Sequence, residues 1–362
     1  MFKIAMRLAG AAVLAIGLFS ACLIAIAALV AAPTRAATGL TELPASATDG
    51  PVTVFYPANS PEQAVQRGPF RLHAALGATP TRGNGRLIVF SHGTGSSPWV
   101  LSDLALHLAG AGFIVAIPQH AGDHFGDQSK IGPASWRLRP QEVSRTIDAM
   151  GADPRFAPLF DANMVGLWGF SSGGHTALAL AGGRWSAARL RDHCQAHIAE
   201  DFAACTGGMA TLNGGLLDGI KKSMALTIIG WQMNDAEMQG HTDARIKAIV
   251  SAAPWAANFD LATLASPTVP LGLIQAERDV WLLPKYHVGA VMAACKTCET
   301  ITSMPTAGHG AMLSPFPSEL PVNLTRLIGD PGDFNRAAEI PQLHERTTAF
   351  FEKHLLAPAA RP

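Results

Sequence analysis

Six short apolar runs set the tightest limit on what this chain can fold into. They occupy residues 86–90 (RLIVF), 113–117 (FIVAI), 164–168 (MVGLW), 248–251 (AIVS), 271–275 (LGLIQ) and 300–304 (TITSM). Several stop at once on a turn residue: Ser91-His92-Gly93, Pro118, Gly169. Runs of this length without polar alternation suit strands buried on both faces, as in a parallel sheet. Helical patterns separate them. Leucines recur at 101, 104, 106 and 108; Val143, Ile147 and Met150 follow at spacings of four and three; residues 176–181 and 347–355 continue the series. Strand–helix alternation with right-handed crossovers gives a doubly wound, mostly parallel α/β sheet. Two further strands are expected at 52–56, which ends on Pro57, and at 70–76. Residues 184 to about 246 break the alternation. They are rich in glycine, hold two cysteines and show little apolar periodicity, so they read as a lid-like insertion in a catalytic domain spanning 38–362. In such sheets ligands bind beyond the carboxyl ends of the strands. The residues just after each run are therefore the informative ones.

After the third run stands Gly169-Phe170-Ser171-Ser172-Gly173-Gly174, a G-x-S-x-G sequence between a strand and a helix. That context holds a serine on a strained turn with its hydroxyl exposed, and small residues two before and two after let strand and helix approach. The bland reading is a glycine-rich turn with a bystander serine. A serine hydroxyl is a weak nucleophile without a base. Of thirteen histidines, His309 lies between glycines just beyond the last run. His287 and His344 fall in helical stretches and are expected to face solvent; His92 is placed to brace its own loop. A base needs an acid to fix its tautomer. Asp279 follows the fifth run and stands thirty residues before His309, with Glu277 and then Asp260 as weaker choices. Asp279 could equally cap the next helix. Two N–H donors should hold a developing oxyanion. The backbone of Ser172 is one; the other is assigned to Thr94, with Gly93 behind it, in the loop after the first run.

Residues SHGTG after a strand, WRLRP ahead of a helix, GFSSGG and TAGHG together resemble the dienelactone-hydrolase-like and platelet-activating-factor-acetylhydrolase-like branch of the α/β-hydrolases. The likeness runs over about residues 50–312. It implies the α/β-hydrolase fold, a serine esterase mechanism without a cofactor, and a small-molecule carboxylic ester as substrate. Two departures stand out. Dienelactone hydrolases proper use cysteine where this chain has Ser171. The acetylhydrolases place their acid after the preceding strand, where this chain reads Ser251-Ala252-Ala253-Pro254, so Asp279 must serve. A serine peptidase or amidase on the same fold is the first rival. A binding protein that kept the fold without activity is the second. Trp99, Trp255 and Trp281 sit just past strand ends and read as an apolar acyl or aryl pocket, or as ordinary core packing. His120-Ala121-Gly122-Asp123-His124 could be drawn as metal ligands, but loop polarity explains it and no metal is expected.

Charge excludes one class of partner. The chain carries 27 basic and 27 acidic residues, so no net basic field exists to bind nucleic acid. The first 37 residues read as a targeting segment: Lys3 and Arg7, then residues 8–32 without a charge, then Thr34-Arg35-Ala36-Ala37. Cleavage near Ala36 and retention as a membrane anchor both fit, since an apolar span of about 20 residues crosses a bilayer. Either way the expected location is outside the cytoplasm, periplasmic, secreted or anchored. Without Cys22, four cysteines remain, an even number that suits disulfides in an exported chain. Three pairings exist, and the local ones, Cys194–Cys205 and Cys295–Cys298, are favoured. A redox reading of Cys295-Lys296-Thr297-Cys298 is weak, because the pair follows an expected helix rather than opening one.

Overall fold

The computed structural model describes residues 37–320 and 322–356. The expected leader therefore lies outside the described residues, except that Ala37 already opens a strand. Among the described residues twelve strands occur: β1 Ala37–Leu43, β2 Val52–Ala58, β3 Gln63–Arg67, β4 Phe70–Leu76, β5 Leu87–Ser91, β6 Ile114–Pro118, β7 Val165–Phe170, β8 Arg184–Trp185, β9 Ile246–Ala252, β10 Phe259–Asp260, β11 Leu271–Ala276 and β12 Glu299–Met304. The α-helices, in chain order, are α1 Ser102–Gly110, α2 Pro133–Ala152, α3 Ser172–Leu180, α4 Ala187–His197, α5 Phe202–Cys205, α6 Asp218–Gln232, α7 Val288–Ala294, α8 Val322–Ile328 and α9 Arg336–Phe351.

Ten strands form one sheet in the order β12-β11-β9-β7-β5-β6-β2-β1-β4-β3. The six from β12 to β6 are parallel, each apolar run of the sequence supplying one. β2 is antiparallel to β6, and β1 to β2. β5 shows why the runs do not alternate. Ile88 and Phe90 join the core under α1 and α9, while Leu87 and Val89 join the core under α2 and α3. A strand buried on both faces has no polar side to show. The chain passes from β5 to β6 on one side and then to β7 on the other. Order reverses there, and the crevice at the carboxyl ends of β5 and β7 is the place such sheets bind ligands.

Between α3 and β9 lies the expected insertion. It is more helical than its sequence suggested. α4, α5 and α6 fall within it, and α6 carries apolar residues on two faces. Ala225 and Ile229 turn inward, while Ile220, Met224, Ile228 and Trp231 are 49–79% exposed. Two apolar stripes on one helix blur the single-face period that signals amphipathicity. Disulfides join Cys194 to Cys205 and Cys295 to Cys298. No described helix is long and apolar enough to cross a membrane.

Candidate active site

Ser171 sits between β7 and α3 with φ 57° and ψ −115°, one of two described non-glycine residues at positive φ. Side chains avoid that region unless the surroundings impose it. Here the surroundings do. The Ser171 N–H donates to the Ala252 carbonyl at 3.0 Å, and the Ser171 carbonyl accepts from His175 N at 3.0 Å and Trp255 N at 3.1 Å. Close approach makes two glycines obligatory: a Cβ on Gly169 would fall 2.0 Å from the Gly173 carbonyl oxygen, and one on Gly173 would fall 1.8 Å from that of Ser91. The G-x-S-x-G spacing is thus a packing requirement of the turn.

His309 opens a short 3-10 turn after β12 and is buried between the rings of Phe170 and Trp281. Its Nε2 lies 3.0 Å from Ser171 Oγ, and its Nδ1 lies 2.6 Å from Asp279 Oδ2. A carboxylate only accepts, so Nδ1 carries the proton and Nε2 is left to accept from the serine hydroxyl. Asp279 Oδ1 meanwhile accepts the N–H groups of Trp281 at 2.9 Å and Leu282 at 2.8 Å. Capping a turn and holding the imidazole, offered above as alternatives, are done by different oxygens of one carboxylate. Glu277 is exposed and accepts from Ser303 Oγ, and Asp260 caps a 3-10 turn and pairs with Arg189; neither reaches His309. His287 and His344 do not face solvent as expected. His287 is fully buried, accepting from Ala256 N and facing Asp201, which comes from the insertion. His344 is 8% exposed and lies against the ring of His107.

The loop after β5 borders the same centre. A Cβ built on Gly93 would stand 3.6 Å from Ser171 Cβ. Among the described residues, the N–H groups of Gly93 and Thr94 donate to nothing. Ser172 is the first residue of α3, where helical N–H groups lack internal partners. Thr94 and Ser172 both line a cavity of about 250 Å³. Trp255 and Trp281 line it too, as do Ile229 of α6 and Met233 just after that helix. Trp99 does not; it packs on the opposite core, with the Arg67 guanidinium 5.3 Å over its ring. Trp136, the first residue of WRLRP, takes a place in the lining.

A buried polar network under this loop also escaped the sequence reading. Arg139 and Glu142, one turn apart on α2, reach the loops after β5 and β6. Glu142 Oε2 accepts from His120 Nδ1 at 2.6 Å, and His120 Nε2 accepts from Ser91 Oγ at 2.8 Å. Burial and the Arg139 charge hold His120 below the usual imidazole range, so the ring is neutral. Arg139 pairs with Asp123 at 2.8 Å. Burial pushes the Asp123 carboxyl up, but Arg139, Ser135, Gly95 and Thr94 together hold it below the usual carboxylate range. Of the residues drawn above as metal ligands, His120 and Asp123 are thus engaged with α2, while His124 bonds within its own loop to Gln119 and the Gly126 N–H; no group of three His, Cys, Asp or Glu among the described residues is arranged to hold a metal ion. A signal existed: Arg139 shares the helical stripe of Val143, Ile147 and Met150, an arginine on a buried face.

Residues 71–129 match the family described as platelet-activating factor acetylhydrolase, isoform II, a stretch that includes β5, the loop after it and Asp123. No curated protein matches the sequence. Among solved structures, the ferulic acid esterase from Streptomyces cinnamoneus superposes with a TM-score of 0.56 at 19% identity, over 91% of this chain and 94% of that one. The chain has the α/β-hydrolase fold, and both matches are, by name, to enzymes that hydrolyse esters.

Proposed function

We propose that this chain, an α/β-hydrolase by fold, is a serine esterase that cleaves carboxylic esters through an acyl-enzyme on Ser171. One observation carries the reading: Ser171 Oγ, on a strained turn, stands in an unbroken hydrogen-bonded line with His309 and Asp279, 3.0 and 2.6 Å, and its neighbour Ser172 lines an apolar cavity together with Thr94 and Trp281. His309 Nε2 takes the hydroxyl proton as Oγ attacks the ester carbonyl. Asp279 keeps the imidazole in the right tautomer and stabilises its charged form. The N–H groups of Thr94 and Ser172 receive the oxyanion. The proton returns to the leaving alcohol, and water repeats the sequence on the acyl-enzyme. Trp255 and Trp281 flank the acyl or aryl group in the cavity. All of this needs only groups the chain itself supplies. The two disulfides support an oxidising compartment outside the cytoplasm.

A panel of p-nitrophenyl esters from acetate to palmitate, run beside the matching anilides, tests the reading. Ester turnover and fluorophosphonate labelling should both vanish in Ser171→Ala while the variant stays folded. Labelling that persists on another serine, or a preference for anilides, overturns it.

A further inference from the structure

An oxyanion site depends on where two peptide planes point, and on this protein something holds one of them. In a trans peptide the C=O of one residue and the N–H of the next face opposite ways. The Gly93 carbonyl is drawn to the interior. It accepts from His92 Nδ1 at 2.8 Å, from Ser96 N at 3.3 Å and from Arg139 Nη2 at 3.4 Å. The His92 carbonyl is drawn the same way, by Arg139 Nη1 at 2.5 Å. Two adjacent carbonyls captured on one side leave the N–H groups of Gly93 and Thr94 turned to the other, where Ser171 and the cavity lie. Arg139 is itself pinned. Its Nε donates to Asp123 Oδ2 at 3.0 Å and to Ser135 Oγ at 2.9 Å. Asp123 closes the circuit, accepting from Thr94 Oγ1 at 2.8 Å and from Gly95 N at 2.8 Å.

We propose that Arg139, locked by Asp123, is a positioning residue that aims the Thr94 N–H at the oxyanion. The proposal rests on ester hydrolysis at Ser171. A guanidinium with no exposure is costly to bury, and an apolar residue on the same helical stripe would satisfy the core. Its planar fork is suited to what is found here, two carbonyls and a carboxylate held at fixed angles; a lysine ammonium cannot span them.

The test compares Arg139→Lys and Asp123→Asn with the parent enzyme, with kcat counted per site titrated to completion by a fluorophosphonate. Misaimed donors harm the transition state and not ground-state binding. The expected result is a fall in kcat per site of about tenfold to a hundredfold, less than the about 10²–10³ lost when a donor is removed outright. KM should change little, and a boronic acid that mimics the tetrahedral adduct should bind weaker by a similar factor. A purely structural arginine would lower the melting temperature and the number of titratable sites, but leave kcat per site and boronate affinity intact; that result overturns the proposal. Should both variants fail to fold, Thr94→Val removes only the hydroxyl that donates to Asp123, at a partly exposed position. It should lower kcat a few-fold at constant KM, and no change there overturns the proposal as well. Loss of all turnover in the parent enzyme would instead count against the esterase reading.

Discussion

On the sheet side of the cavity, charged groups are buried and paired: Arg139 with Asp123, Glu142 with His120, Asp279 with His309. On the insertion side, α6 supplies apolar wall through Ala225, Ile228 and Ile229 and turns Ile220, Met224 and Trp231 outward, 57–79% exposed. One side fixes atoms to fractions of an ångström through directional bonds. The other encloses volume through contacts that have no direction. Chemistry should thus be brittle toward changes on the first side, and substrate choice should be tunable on the second.

The largest expected effect tests the brittle side. Asp279→Asn should keep the fold and lower kcat by up to about 10⁴, the loss that accompanies a wrong imidazole tautomer. Glu277→Gln, exposed and bonded to Ser303, should change kcat little. Equal losses would mean the acid is not confined to Asp279.

Next is the acid sensitivity of the sheet side. Burial, with the Arg139 charge adding to it, holds His175 at about 3. Its ring is enclosed by Trp136, Trp185 and Phe259. The unfolded chain binds this proton near pH 6.5, well before the folded protein does. Stability from this group is fully present above about pH 6.5 and falls with pH below it, by about 1.4 kcal/mol per pH unit, until the folded group titrates. His175→Gln should flatten urea-midpoint profiles between pH 6.5 and 4 by that one proton. His92 and His120, both held low chiefly by burial, keep some slope in the variant. An unchanged profile would place the acid weakness elsewhere, in the insertion for instance.

The insertion side answers to its staple. Opening Cys194–Cys205 by paired alanines should cost about 2–3 kcal/mol on the chain-entropy account. Cys205 lines the cavity, so the loss should lower turnover of long acyl esters more than of acetate. Uniform loss across the series would mean the staple supports the whole site and not the cavity wall. Smallest of all, Ile220→Ser and Trp231→Ser should change the unfolding free energy from urea titration by no more than about 0.5 kcal/mol, as exposed positions do. A larger shift would show that the outward stripe is covered in solution.

The same division decides what could be read in advance. Five of the six parallel strands were legible because burial on both faces leaves near-continuous apolar runs; β12, at the sheet edge, buries only alternate residues near its end. Ser171, His309 and Asp279 could be singled out because each follows such a run, and the structure brings the three together. β1 and β3 were missed. β1 lies beside the stretch read as a leader, and β3, QAVQR at the sheet edge, buries only Val65. His287 was misjudged because its partner, Asp201, arrives from 86 residues away. Arg139 entered only as part of WRLRP; its burial was missed because a charge on an apolar stripe reads as noise until its carboxylate is found. α6 was opaque because its two apolar faces answer to different surroundings.

β1 has a consequence for where the chain can be cut. Ala37 is already paired with Ala58, and the strand it begins runs between β2 and β4, hydrogen-bonded to both. The first described residues are thus woven into the interior of a sheet. A cut even a few residues later would remove a central thread, leaving β2 and β4 as open edges able to recruit strands from other molecules. An amino-terminal tag that is to leave the sheet intact must be joined ahead of β1.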